Sequence, residues 1–130
     1  MKWRQSMYYK LSNKEKGRFG EEIAAKYLEN NGYKILERNF HYSKYSEIDI
    51  VAREKDSIVF VEVKMRSTSG FGHPFEAISR KKLENIFHAA QFYLQNTKER
   101  YRSLRIDVIS VIGLKECKIE HLKNICFYYD

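Results

Sequence analysis

Two periods of hydrophobic and polar positions run along this chain. From Asn13 to Asn31 apolar residues recur three and four apart. Phe19, Ile23 and Tyr27, with Gly20, Ala24 and Leu28 beside them, predict one broad buried face of an α-helix. Ser12 or Asn13 is a suitable N-cap, and Gly32 stands where a helix ends in a left-handed residue. Gly17 and Gly20 weaken the first turns and predict that another backbone packs close there. Lys34 to Phe40 reads as a strand, followed by a polar loop of His41, Tyr42, Ser43 and Lys44. Glu47 to Arg53 is a second strand, and Ser57 to Lys64, rich in β-branched residues, a third. The turn between them, Glu54-Lys55-Asp56, is short enough to make them an antiparallel hairpin. A loop from Arg66 to Pro74 leads to a second helix, Ser79 to Asn96, with Leu83, Ile86, Phe87, Ala90 and Leu94 as its apolar stripe. Leu104 to Ile112 is a fourth strand, and Cys117 to Tyr129 supplies room for another. A right-handed strand-helix-strand crossover leaves strands three and four parallel. The expected class is α/β with a mixed sheet, in one domain from Ser12 to Asp130 after an extension of residues 1–11.

Composition narrows the partners. The 130 residues suit one domain, and 43% apolar with 32% charged residues permits a core and excludes a disordered class. Ten Tyr, eight Phe and one Trp are many for this length, so most must pack. A net charge of +7 favours a polyanionic partner, nucleic acid ahead of an anionic membrane surface. No apolar run approaches the ~18 residues of a membrane span, and Met1 to Lys16 lacks the apolar stretch of a signal peptide. The expected location is the cytosol. Cys117 and Cys126 fit no metal-knuckle spacing and read as free thiols.

The candidate chemistry lies in acids placed inside apolar strands. With period two, Glu62 and Lys64 share one face of strand three, opposite Val59, Val61 and Val63. Asp49 interrupts the apolar run of strand two on the face of Glu47. A buried acid is costly unless paired or bound to a cation. One reading is that Lys64 neutralises Glu62 or Asp49 at a strand end. The other is a divalent-metal site. Two carboxylates ~4 Å apart repel by roughly 4 kcal/mol at an effective dielectric of 20, and a third acid leaves net charge suited to a hard cation. Glu21 borders the apolar face of the first helix beside Leu28 and leans toward the sheet. Glu22, about 100° further round, lies with Lys26 on the solvated side.

Asp49, twelve intervening residues and then Glu62-Val63-Lys64 look like the D…(D/E)-x-K signature of restriction-endonuclease-like nucleases. A wider ordered set is more specific. Gly17-Arg-Phe-Gly-Glu21, Ala25, Tyr27-Leu28, Gly32-Tyr33, Glu47-Ile-Asp49, Val59 to Arg66, Phe71-Gly72 and Asp107-Val108 together resemble the YraN family, which is related to archaeal Holliday-junction resolvases. The match spans about residues 14–112 and departs from the pattern at Ser46, where Gly usually precedes Glu-Ile-Asp.

The resemblance implies a restriction-endonuclease-like fold with an α-β-β-β-α-β core, and a Mg²⁺- or Mn²⁺-dependent endodeoxyribonuclease directed to branched or damaged DNA. It implies Asp49 and Glu62 as direct ligands with the Val63 carbonyl, and Glu21 through water or toward a second ion. Lys64 would orient the attacking water and stabilise developing charge. Glu47 is a further acid, with a structural role at the strand start as its competitor. Lys14, Lys16, Arg18, Arg38, Arg66, Arg80, Lys81 and Lys82 flank the site in sequence and suit phosphate contacts, the best cluster being Ser79-Arg-Lys-Lys at a helix start. His41, His73, His88 and His121 have no ligand spacing, although the loop after strand three could bring His73 near. Tyr42 and Tyr45 suit either surface packing or stacking on unpaired bases. The alternatives are a DNA-binding module of the same fold with little turnover, acting in repair or uptake, and a basic protein-interaction domain whose acids form internal salt bridges. A homodimer fits the resemblance, since a branched substrate usually needs two active sites.

Overall fold

The structure is a computed structural model that describes residues 12–66, 78–113 and 116–125. Helix α1 runs Asn13–Asn30. It starts where expected because Ser12 and Glu15 form a reciprocal capping box: the Glu15 amide donates to Ser12 Oγ at 3.2 Å and the Ser12 amide to Glu15 Oε1 at 3.1 Å. It ends at Asn31, and Gly32 follows at φ 87°, a conformation that favours glycine. Strands β1 (Lys34–Ser43), β2 (Ser46–Glu54) and β3 (Ser57–Arg66) form an antiparallel meander. Helix α2 (Arg80–Asn96), capped by Ser79, crosses to β4 (Ser103–Ile112), which pairs parallel to β3, and β5 (Lys118–Leu122) returns antiparallel to β4. The sheet order is β1-β2-β3-β4-β5. The expected α/β class and mixed sheet hold, and this is the element order of the restriction-endonuclease-like fold.

The meander departs from expectation at one connection. The polar segment from His41 belongs to β1, and the loop shrinks to Lys44-Tyr45 because Ser43 pairs with Ser46 and His41 with Glu47. Among the described residues β1 is an edge strand, paired on one side only, and does not need a regular apolar pattern. It is bulged between Ile35 and Glu37 and between His41 and Ser43, and Asn39 adopts φ 54°. These irregularities blunt the edge against pairing with another chain.

Each face of the sheet buries its own core. On one face Ala24, Ala25 and Leu28 of α1 pack with Ile50, Val59, Val61, Ile109 and Val111; on the other Ile86 of α2 packs with Ile48, Val51, Ile58, Phe60, Ile106, Val108 and Ile125. The stripe of α2 differs from the expected one. Phe87 is 43% exposed whereas Ala89 is fully buried. The adjacent small residues Ala89 and Ala90 let the helix lie close to the sheet, which rotates Phe87 outward. Cys117 is a half-buried free thiol; Cys126 and the N-terminal extension lie outside the described residues.

A polar network ties the turn end of the sheet together. Asp107, fully buried, accepts from Arg105 at 3.1 and 3.2 Å, from the Asn124 amide at 2.9 Å, and lies 2.7 Å from His121 Nε2. Arg105 continues to Glu54 at 2.8 Å and to the Tyr33 hydroxyl at 2.7 Å, while His121 Nδ1 meets the Tyr27 hydroxyl at 2.9 Å. Burial acts to raise the Asp107 carboxyl, but the hydrogen bonds from His121, Arg105 and Asn124 outweigh it and hold the group below its ordinary pKa.

Candidate active site

The site forms where two strands part. The β2–β3 ladder runs from Glu54↔Ser57 to Ile50↔Val61 and stops there. The Val63 amide donates instead to Asp49 Oδ2 at 2.8 Å. Strict alternation fails at this point, because Ile48 packs in the α2 core and Ile50 in the α1 core. The twist between them lets the Asp49 carboxylate reach the backbone of β3.

Beside it opens a cleft of about 420 Å³, lined by Asn13, Lys16, Gly17, Glu21, Asp49, Glu62, Val63 and Met65. Three of the expected acids therefore share one cleft with Val63. Glu21 enters from α1 and the buried Glu62 from β3; Glu21 Oε1 and Glu62 Oε2 are both buried without a hydrogen-bond partner. Of the two glycines of α1, Gly20 is the tightly packed one: an added methyl there would overlap the Met65 side chain. At Gly17 a methyl would meet nothing within 4 Å, so the close packing expected there does not occur. Glu22 points elsewhere, pairing with Arg38 of β1 at 2.6 Å rather than with Lys26.

The acids carry charge that the protein does not fully compensate. Burial, followed by the negative charge of Asp49, pushes Glu21 up to about 7 despite the opposing influence of Arg38. Glu62 is raised by burial and by Asp49, against Lys82 and Lys64. Asp49 is raised by burial and by Glu47, although the Val63 amide opposes this. Protons or a cation would relieve all three.

Among the described residues, Lys82 comes within ion-pair reach of Glu62, its Nζ 3.8 Å from Oε2. One of the two sequence readings gave that pairing to Lys64. Alternation places Lys64 on the same side of β3 as Glu62; Lys64 does not line the cleft, but its charge acts on Glu62, which does. Lys16 lines the cleft, while Lys14, Arg18 and Lys81 are exposed. Arg66 and Arg80, at the end of β3 and the start of α2, are engaged in contacts of their own. Glu47 lies 3.8 Å from His41, and His73 lies outside the described residues. Sequence reasoning missed Asn13 and Met65 as lining residues. It also missed the reach of Lys82 to Glu62, for which no local signal exists because the partners come from different elements.

Among the described residues, no three His, Cys, Asp or Glu side chains are already gathered around one ion position. The donor set nevertheless suits a hard cation: three carboxylates, of which two present a buried oxygen that accepts no hydrogen bond.

Comparison with known proteins places this chain among relatives. The family model described as "Uncharacterised protein family UPF0102" matches residues 20–111. The UPF0102 protein of Syntrophomonas wolfei is 46% identical over 113 residues, 86% of this chain and 97% of that protein. The UPF0102 protein CD630_12710 of Clostridioides difficile is 46% identical over 114 residues, covering 88% and 98%. That of Acetivibrio thermocellus is 46% identical over 123 residues, covering 92% and 95%. Among the described residues no helix is long and apolar enough to cross a membrane.

Proposed function

The chain belongs to UPF0102, the YraN family, and on that premise we propose that it is a metal-dependent endodeoxyribonuclease, with branched or damaged DNA as the substrate class. One observation carries the reading: Glu21, Asp49 and Glu62 share a cleft in which two buried carboxylate oxygens accept no hydrogen bond, one of them facing only the distant ammonium of Lys82. Purely structural acids are paired, as Asp107 is.

Asp49, Glu62 and the Val63 carbonyl would hold the ion directly, with Glu21 joining through water. Mg²⁺ or Mn²⁺ supplies polarisation of the scissile phosphate and a water of lowered pKa. The chain's own residues do the rest. The Val63 amide fixes Asp49, so that this carboxylate is aimed before substrate arrives. Lys64 orients the attacking water and opposes the charge that develops on phosphorus. Lys16 and the basic start of α2 neutralise flanking phosphates.

A second reading, a DNA-binding module with little turnover, has the Lys82–Glu62 ion pair in its favour, because an internal ammonium can stand in for a cation. Cleavage of linear, flapped and four-way DNA by the purified chain, with and without Mg²⁺, separates the two. The nuclease reading expects metal-dependent products from the wild type and none from Lys64→Ala, which should still bind DNA. Binding without products under any metal supports the module. Cleavage by Lys64→Ala at the wild-type rate removes the assignment of Lys64.

A further inference from the structure

A second groove, of about 260 Å³, lies on the α2 face between that helix and the end of β1. Its lining is Tyr42, His88, Gln91, Phe92 and Gln95. Tyr42 and Phe92 are 51% and 38% exposed, and of the exposed rings these two meet in one groove. Their ring centroids are 4.9 Å apart at 45°, so they form a tilted wall rather than a closed stack. Phe40 and Tyr93 support the wall from beneath, with ring centroids 5.3 Å apart. The lining combines flat faces with two primary amides and an imidazole, all able to hydrogen-bond a heterocycle edge.

Charge is arranged to match. Lys81, Asn85, His88, Phe92 and Gln95 follow one another at four- and three-residue steps, and therefore form one stripe along α2. The stripe begins with a cation next to Lys82, whose ammonium reaches Glu62 in the cleft. On the other side, the β1–β2 turn carries Lys44 with its ammonium 5.5 Å from the ring of Tyr45, which is itself 71% exposed. Ten residues separate Lys82 from Phe92, about 15 Å of helix, the span of roughly four or five stacked nucleotides at ~3.4 Å each.

From this the geometry points to a single-strand platform: the Tyr42–Phe92 groove stacks unpaired nucleobases of a strand whose phosphates run past Lys81 toward the cleft. The inference rests on the reading of the chain as DNA-directed and deepens it by naming unpaired bases beside the cut as part of the substrate. Base pairs in a duplex present edges, not faces, and give the rings nothing to stack on. A second copy of the chain is a poorer occupant, because the adjoining β1 edge is doubly bulged and Asn39 is left-handed.

The test is fluorescence anisotropy of a labelled oligothymidylate and of a duplex of equal length, with the full chain in EDTA so that cleavage plays no part. Tyr42→Ala should weaken oligothymidylate binding about tenfold and leave duplex binding within about twofold. Tyr42→Trp should restore it. Gln91→Glu, an exposed change that sets a negative charge on the rim, should reproduce the selective loss if Tyr42→Ala unfolds. Equal losses on both ligands, no loss in either variant, or a change in sedimentation with unchanged DNA affinity would overturn the platform. A wild type that cleaves DNA while oligothymidylate binding ignores Tyr42 defeats the platform and spares the nuclease. Tyr42-dependent binding without cleavage defeats the nuclease and spares the platform.

Discussion

Asp49 Oδ2 takes the Val63 amide at the point where the β2–β3 ladder ends, so a side chain replaces the missing backbone partner. The same carboxylate then has a structural bond on one oxygen and the cleft on the other. Two substitutions separate these roles. Asp49→Asn and Asp49→Ala both remove the charge, but only Asn keeps an acceptor for Val63. Asp49→Asn should therefore be more stable than Asp49→Ala by about 1–2 kcal/mol in urea unfolding, with metal-dependent activity lost in both. Equal stability would mean that the bond contributes nothing.

Glu62 should destabilise the metal-free protein at alkaline pH. Its pKa is raised in the folded state, as is that of Glu21, which burial and Asp49 push up to about 7 from the ordinary 4.5. The folded protein thus holds protons that the unfolded chain releases. That contribution is complete below the unfolded value and is lost as pH rises through the folded one. Without metal, the melting temperature should fall between about pH 5 and pH 8. Glu62→Gln should melt higher than wild type at about pH 8, by roughly 1–2 kcal/mol, and the difference should vanish in acid. Added Mn²⁺ should stabilise the wild type more at high pH and leave Glu62→Gln nearly unchanged.

Glu21 and Glu22 are adjacent but face different surroundings. Glu21 has a buried, unpartnered oxygen in the cleft, and Glu22 makes an exposed pair with Arg38. Glu21→Gln should strongly weaken metal-dependent activity. Glu22→Gln should change stability by under about 1 kcal/mol and leave activity alone. Calorimetric titration of Mn²⁺ into both variants, alongside cleavage, decides between them. A larger loss in Glu22→Gln would misassign the third acid.

The two glycines of α1 give opposite expectations. Gly17 has open space around it, so Gly17→Ala should gain up to about 1 kcal/mol from helix propensity. Gly20→Ala must displace Met65, and this should cancel or reverse that gain. Thermal melts of the two variants at one pH give the comparison, and an equal gain in both would show that Met65 moves freely.

Local chemistry explains what could be read from the chain. Ser12, Ser79 and Gly32 bound the helices because capping acts over three or four residues. The run from Ser57 is a central strand because only such a strand buries both faces. The three acids of the cleft were legible as charges set in apolar patterns. What escaped depends on distance or twist. No period-two reading shows the switch of faces between Ile48 and Ile50, and Lys44-Tyr45 lacks the Gly or Asn that marks a tight turn. Asp107 was within reach of the rule that singled out Asp49, since it too interrupts an apolar strand. Its partners, gathered from β4, β5 and the residue pair after β5, were not.

The Asp107 network also bears on how the chain comes off the ribosome. Arg105 is made just before Asp107, but His121 and the Asn124 amide follow it, and Tyr27 and His121 stand 94 residues apart. A nascent chain halted before His121 holds every strand of the meander and the Asp107 carboxylate of β4 with two of its four contacts unmade. Removing part of such a set leaves a buried charge that opposes folding. Residues His121 to Asn124 therefore act as a completion check. Intermediates arrested before them should stay open to protease, and release of the finished chain should close the sheet in a single step.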